Sequence, residues 1–200
     1  MTDDRTSVAR STHDWTSAVD HDHLDAIRAQ AARYGAGGPA HLVLEVLAYA
    51  EEEAAALGRV GRAVLTRHTD GSLSVADDGR GTAIRRGGDG QIVRKPVMST
   101  QDLRFFAASD PPLLPDELPR RGMSTVAALC HWLEHTNRRS EGSWTQRYVR
   151  GVPGTELVEL PGTGETGTTV RFLPDRSLIR GIEPGDELFG FAHLNVEMRT

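Results

Sequence analysis

His41 to Leu57 reads HLVLEVLAYAEEEAAAL, and Ser72 to Gly81 reads SLSVADDGRG. In the first stretch Leu42, Val43, Val46, Leu47, Ala50, Ala54 and Leu57 recur with the 3.6-residue period of a helix, with acids set among them. In the second, an alternating strand runs into two aspartates and two glycines. Each half alone is weak evidence, because amphipathic helices are common and Asp-Gly after a strand is an ordinary turn signal. A helix, then a strand, then an acid-glycine turn is an arrangement that builds a ligand site.

Outward from these stretches, Val60 to His68 and Ser72 to Asp77 read as two strands joined around Thr69-Asp70-Gly71, an antiparallel hairpin. Upstream, His21 to Tyr34 predicts a short helix with Leu24, Ile27, Ala31 and Tyr34 on one face, and Gly35 to Pro39 breaks the chain before the main helix. Residues 1 to 20 are polar and aperiodic and read as a flexible arm ahead of one domain over 21–200. Downstream, Gly81 to Met98 is rich in Gly and Arg, and Asp110 to Pro119 carries four of the ten prolines; both read as loops. Thr100 to Ala108 and Asp186 to His193 are short helix candidates, and Met123 to His135 reads as a clearer helix striped by Val126, Ala127, Leu129, Cys130 and Leu133. Ser143 to Arg150, Thr168 to Leu173 and Leu194 to Met198 read as strands. Helices and antiparallel hairpins in mixed order predict an α+β two-layer sandwich.

Composition narrows the function. At 200 residues, 38% hydrophobic and 26% charged, the chain is the size of one ordinary globular domain. No apolar run approaches the roughly 18 residues of a membrane span, and the N-terminus lacks the apolar core of a secretory signal, so a cytoplasmic protein is expected. The net charge of -5 argues against a direct nucleic-acid surface. Lys95, the sole lysine, lies between Arg94 and Pro96, which excludes a P-loop. The single cysteine, Cys130, reads as a buried small apolar residue on a helix. His131 to His135, HWLEH, fits a helical zinc pattern, but three fixed residues without a third-ligand context read better as a surface helix terminus. His21-Asp22-His23 reads as a solvated capping segment.

Five segments resemble, in order, the ATP-binding domain of the gyrase B proteins in the GHKL superfamily. They are LDAIR from Leu24, HLVLEVLAYAEEEA from His41, DGSLSVADDGRG from Asp70, STVAALC from Ser124 and TGETGTTVRFLPD from Thr163. The resemblance implies a Bergerat-type sandwich with a mixed, mainly antiparallel sheet that holds ATP or ADP between sheet and lid. It implies that Asp77 receives the adenine amino group and that Thr168 supports this contact through a water. It also implies that Gly79 and Gly81 let the backbone approach base and ribose, that Arg80 and Glu53 pair across the base, and that Glu45 is the general base. Two positions depart. Tyr49 stands where the family has a Mg²⁺-coordinating asparagine, and a phenol is a poor magnesium ligand, which puts the metal site in doubt. Glu117-Leu118-Pro119-Arg120-Arg121-Gly122 stands where the family has a glycine-rich phosphate loop, and only Gly122 is kept. Glu45, Glu52 and Glu53 would repel a triphosphate, an effect that Arg120 and Arg121 could offset as side-chain clamps. The γ-phosphate lysine of gyrase-type enzymes comes from a second domain beyond these residues.

These features lead to an adenine-nucleotide-binding protein impaired in hydrolysis, sensing nucleotide or binding a gyrase-like or regulatory protein, or a second copy of itself. Two alternatives stand beside it. One is a working Mg²⁺-dependent ATPase with Glu45 as base and Glu52 or Glu53 as metal ligand; the other is a ligand-free interaction module. Strand passage would need cleavage machinery not found in these residues.

Overall fold

The computed structural model describes residues 19–82, 84–86, 92–94, 97–106, 108–185 and 190–200, with no account of the side chains of 84–86 and 92–94. Its centre is α3 (Gly38–Ala56), which Pro39 starts at a position where a missing N–H costs nothing. Every residue from Gly38 to Ala48 is buried, so the first three turns of α3 are enclosed all round and only later does the helix present a polar side. It is preceded by α1 (His21–Ala29) and α2 (Ala31–Tyr34), which break the expected continuous helix at Gln30. Asp20 caps α1 by accepting the His23 N–H at 3.0 Å. His23 itself is buried, with its Nε2 2.9 Å from the Ser124 hydroxyl and its ring edge-on to Phe106, so the expectation of a solvated His-Asp-His segment fails at His23.

The hairpin is present as β1 (Gly61–Arg67) and β2 (Leu73–Asp77), paired antiparallel from Ala63↔Asp77 to Arg67↔Leu73. Within the Gly81 to Met98 stretch expected to be loop, β3 (Ile84–Arg86) and β4 (Ile92–Arg94) pair antiparallel as a separate two-stranded sheet. Of the Thr100 to Ala108 helix candidate, residue 107 lies outside the described residues, and Leu103 to Phe106 form a single turn, closed by the Phe106 N–H on the Asp102 carbonyl, with no helix among the described residues there. The predicted helix over Met123 to His135 divides at Leu129. The first part is α4 (Met123–Ala128), and the rest is β5 (Cys130–Arg139), the most heavily paired strand of the sheet. Along β5, Leu133, His135 and Asn137 are buried while the residues between them are half-exposed, the alternation of a strand with one covered face. Cys130 is buried as expected, but in a strand. The HWLEH segment is also strand, with His131 exposed and His135 buried, so it lacks the helical geometry of the zinc pattern.

The remaining strands are β6 (Gly142–Val149), β7 (Val152–Pro153), β8 (Val158–Leu160), β9 (Gly167–Pro174) and β10 (Leu194–Arg199). Of the Asp186 to His193 helix candidate, 186–189 lie outside the described residues, and Phe191 to His193 are not helical. The main sheet has eight strands in the order β10-β1-β2-β9-β5-β6-β7, with β8 also on β6. Among the described strands, β1 and β10 run parallel and every other pair is antiparallel. The helices pack on the sheet, α3 against β1, β2 and β10 and α4 against β5 and β6, which makes the two-layer α+β sandwich expected. One core joins the layers, with Ile27, Leu42, Leu44, Leu47, Leu65, Leu129, Leu133 and Phe172 fully buried within it.

Candidate functional site

Between the C-terminal half of α3 and the sheet lies a cavity of about 460 Å³. Its sheet side is built by register. Val75 pairs with Val170, which pairs with His135, and two residues further along β9 Thr168 pairs with Asn137 while its N–H reaches Asp77. Val170, His135, Thr168 and Asp77 therefore line one wall, and Val46, Tyr49 and Ala50 of α3 line the other. A concave cleft that sets apolar side chains beside fixed polar groups is a usual form of a small-molecule site.

Asp77 is the acid in it that backbone groups alone hold. Its Oδ1 accepts the Gly79 N–H at 2.9 Å and the Thr168 N–H at 3.2 Å, and its Oδ2 takes part in neither bond. Burial raises its pKa to about 6 against the lowering effect of those two N–H groups. The turn beyond it is tied to β5. Gly81 has φ +79, and a Cβ there would lie 2.5 Å from Asn137 Oδ1 and 2.6 Å from the Arg138 carbonyl, so only glycine fits. Asn137 then holds Thr82 at both ends, accepting its N–H at 2.7 Å and donating to its carbonyl at 3.0 Å. Arg80 Nε donates to Glu53 Oε1 at 2.6 Å and Nη2 to Oε2 at 3.1 Å, a bidentate pair at the cavity mouth that lowers the Glu53 pKa.

The other end of α3 is arranged differently. Glu45 is fully buried, with Oε1 accepting the Arg121 N–H at 2.5 Å and Oε2 the Gly122 N–H at 2.8 Å. His41 Nε2 lies 3.6 Å from its Oε1, and His41 Nδ1 lies 2.7 Å from Asp116. Burial is the main cause that raises the Glu45 pKa to about 7, while His41 and the two backbone donors act the other way. Glu45 and Gly122 are not among the residues lining the cavity; Tyr49 is. The Tyr49 hydroxyl donates to Asp102 at 2.9 Å, and Asp102, fully buried, is gripped by Arg104 through Nε at 3.0 Å and Nη2 at 2.8 Å.

Arg104 also donates to Glu52 at 3.1 Å, and Arg120 binds both Glu52 oxygens at 2.7 and 3.1 Å. The Arg120 guanidinium lies 4.0 Å from the Phe105 ring centroid and 4.6 Å from that of Tyr49. Arg121 points its guanidinium at the Phe105 and Phe106 carbonyls. Neither Arg120 nor Arg121 lines the cavity, so the expected phosphate clamps are committed elsewhere.

Of the residues singled out from sequence, the structure brings Tyr49, Glu53, Asp77, Arg80, Gly81 and Thr168 to one cavity and leaves Glu45, Gly79 and Gly122 off its lining. A Cβ on Gly79 would lie 2.9 Å from Asp77 Oδ1 and from Glu53 Cγ, which makes it a close packing position between two site acids. Residues that sequence reasoning missed are Arg104, His135, Arg139 and Thr82, which line the cavity, and Asp102 and Asn137 behind it. His135 and Asn137 become visible once Leu133, His135 and Asn137 are read with a period of two. Arg104 and Asp102 carry no periodic signal. The acids do not fit Mg²⁺: Glu52 and Glu53 are bound by arginines and both Glu45 oxygens by backbone donors. Burial and Asp102 push the Tyr49 pKa up, so it stays a neutral phenol. Among the described residues no cluster of three or more His, Cys, Asp or Glu is placed to hold a metal, and no helix is long and apolar enough to cross a membrane.

No family model matches the chain. The DNA gyrase B protein of Mycolicibacterium smegmatis is 36% identical over 156 residues, covering 76% of this chain and 23% of that protein. The DNA gyrase B protein of Archaeoglobus fulgidus is 33% identical over 191 residues, covering 92% of this chain and 30% of that protein. The DNA topoisomerase 4 B protein of Staphylococcus epidermidis is 30% identical over 163 residues, covering 78% of this chain and 24% of that protein. The chain thus spans less than a third of the length of these curated relatives. Among solved structures, the topoisomerase IV ATP-binding domain of Francisella tularensis in complex with a small-molecule inhibitor superposes with a TM-score of 0.63 at 23% identity, over 84% of this chain and 45% of that one. These relatives and the fold shared with the solved ATP-binding domain place the chain in the GHKL superfamily as a gyrase B-like domain.

Proposed function

We propose that this domain binds an adenine nucleotide, ATP or ADP, in the α3 cavity and hydrolyses it poorly or not at all, acting as a nucleotide-sensing or partner-binding protein of the cytoplasm. The observation that carries the binding half is Asp77, a carboxylate fixed by two backbone N–H groups on one oxygen, in a cleft whose apolar lining includes Val46, Ala50 and Val170. Such an acceptor suits an exocyclic amino group. Thr168 supports that contact, Gly79 and Gly81 shape the turn beside base and ribose, and the Arg80–Glu53 pair lies across the base.

Impaired hydrolysis is supported by the position of Glu45. A general base must come within hydrogen-bond reach of the water it activates. Both oxygens of this carboxylate accept backbone N–H bonds, and it does not line the cavity. The alternative in which Glu52 or Glu53 supplies a metal ligand is disfavoured by their bidentate arginine partners.

The test combines ADP binding, followed by thermal shift in wild type and Asp77→Asn, with phosphate release from ATP and Mg²⁺. The expected result is an ADP-induced shift that Asp77→Asn abolishes and no phosphate release above background. A shift that survives Asp77→Asn removes the adenine assignment. Phosphate release that Glu45→Ala abolishes removes the claim of impaired hydrolysis.

A further inference from the structure

Tyr49 stands between the cavity and the loop that follows Arg120. It lines the cavity, whereas Glu45, one turn earlier on the same helix, and Gly122, at the start of α4, do not. A Cβ built on Gly122 would lie 3.0 Å from the Tyr49 hydroxyl and 3.1 Å from Asp102 Cβ, so the tyrosine tip occupies the space directly against this glycine. The side chain is held there. Its hydroxyl donates to the fully buried Asp102, Arg104 chelates that carboxylate, and Arg120 covers the ring. Moving Tyr49 aside would take a hydrogen bond from the fully buried Asp102 carboxylate, a costly rearrangement.

Charge at the rim points the same way. Among the described residues, each of the three arginines lining the cavity is bound to a carboxylate: Arg80 to Glu53, Arg104 to Asp102 and Glu52, and Arg139 to Glu141. The backbone donors of Arg121 and Gly122 are already taken by Glu45. A polyphosphate would have to displace a carboxylate at each of these points, and every displacement gives back the interaction it replaces.

We propose that Tyr49 is a specificity-determining residue that walls off the far end of the cavity, so that the site grips the adenosine unit of a nucleotide, leaves its phosphates at the rim and gains nothing from a divalent cation. The proposal rests on the adenine reading above and assigns its ligand class: an adenine nucleoside with any number of phosphates. Removing the ring in Tyr49→Ala joins the cavity to the Gly122 loop and takes away the ring lying over the Arg120 guanidinium, so that a phosphate can enter beside that charge in competition with Glu52 alone.

The experiment is calorimetric titration of the whole chain with adenosine, AMP, ADP and ATP, each with and without Mg²⁺, for wild type, Tyr49→Phe and Tyr49→Ala. In the wild type the four dissociation constants agree within about threefold, or weaken as phosphates are added, and magnesium does not tighten them. Tyr49→Phe, which keeps the wall, gives the same pattern, and Tyr49→Ala binds ATP at least about tenfold more tightly relative to adenosine than the wild type does. Wild-type binding of ATP about tenfold or more tighter than adenosine overturns the proposal, as does a folded Tyr49→Ala protein that still treats the four ligands alike. If Tyr49→Ala does not fold, the wild-type and Tyr49→Phe series decide. Absence of heat with all four ligands overturns the adenine reading itself, and the proposal with it.

Discussion

Replacing Glu45 by glutamine keeps the shape of the side chain and removes its proton equilibrium. In the folded protein the Glu45 carboxyl is buried and titrates near 7 instead of 4.5. An acid whose folded pKa is raised contributes stability that is complete below its unfolded pKa and is lost as pH rises through the folded one. At about 1.4 kcal/mol per pH unit, the wild type should lose about 2–3 kcal/mol between pH 5 and pH 8 that the variant does not lose. Glutamine also turns an amide N–H towards one of the two backbone donors, Arg121 or Gly122, at a pH-independent cost of about 1–3 kcal/mol. The diagnostic quantity is therefore the slope of the difference between the two proteins with pH. Urea unfolding of both at pH 5, 6, 7 and 8, at constant ionic strength, measures it, and subtraction cancels Asp77, whose raised pKa acts in the same direction in each. Two curves that stay parallel within about 0.5 kcal/mol would show a solvated Glu45. The account of a base locked away from the cavity would then be wrong.

Nucleotide binding should depend on pH through Asp77. Its carboxyl titrates near 6 in the free protein, and an amino group needs the ionised acceptor, so ADP affinity rises about tenfold per unit up to pH 6 and levels off above pH 7; a flat profile from pH 5 to pH 8 by calorimetry would contradict this. Asn137→Ala removes both hydrogen bonds to Thr82 and leaves the backbone of the Gly81 turn without its buried partner, which should lower the urea unfolding free energy by about 2–3 kcal/mol. A loss under about 0.5 kcal/mol would mean that β5 does not hold the turn.

The parts of the site that are legible in the sequence are those built from neighbours in the chain. Asp70-Gly71 between two alternating runs carries the β1–β2 hairpin, and the same strand delivers Asp77 and the Gly79 and Gly81 turn to the end of the sheet. Thr168 is found through its gyrase-like segment, and the structure sets its N–H on Asp77, 91 residues away. Strand β5 is not legible. Val126, Ala127, Cys130 and Leu133 satisfy a helical stripe, and what decides against it is pairing with β6 and β9, from Glu134↔Arg147 and Glu134↔Arg171 outward, which local periodicity does not register. Reading β5 as helix also hides His135 and Asn137. The Tyr49–Asp102–Arg104 assembly is hidden for a related reason. Tyr49 is conspicuous only as a departure from the family, and its partner lies 53 residues on, in a turn with no repeating pattern. Likewise, the gyrase-like segment from His41 marks Glu45 as the base, but that its two oxygens are occupied depends on where the loop before α4 lies.

Recognition of adenine by Asp77 is tested without any mutation by calorimetric comparison of adenosine with inosine. Inosine carries an oxygen in place of the amino group, so it offers Asp77 no donor from that position and sets an acceptor against its carboxylate. A site built around a buried hydrogen bond rejects an analogue that cannot make it by orders of magnitude. If Asp77 receives the adenine amino group, adenosine gives measurable heat and inosine binds at least about a hundredfold more weakly. Equal affinity for the two would contradict it.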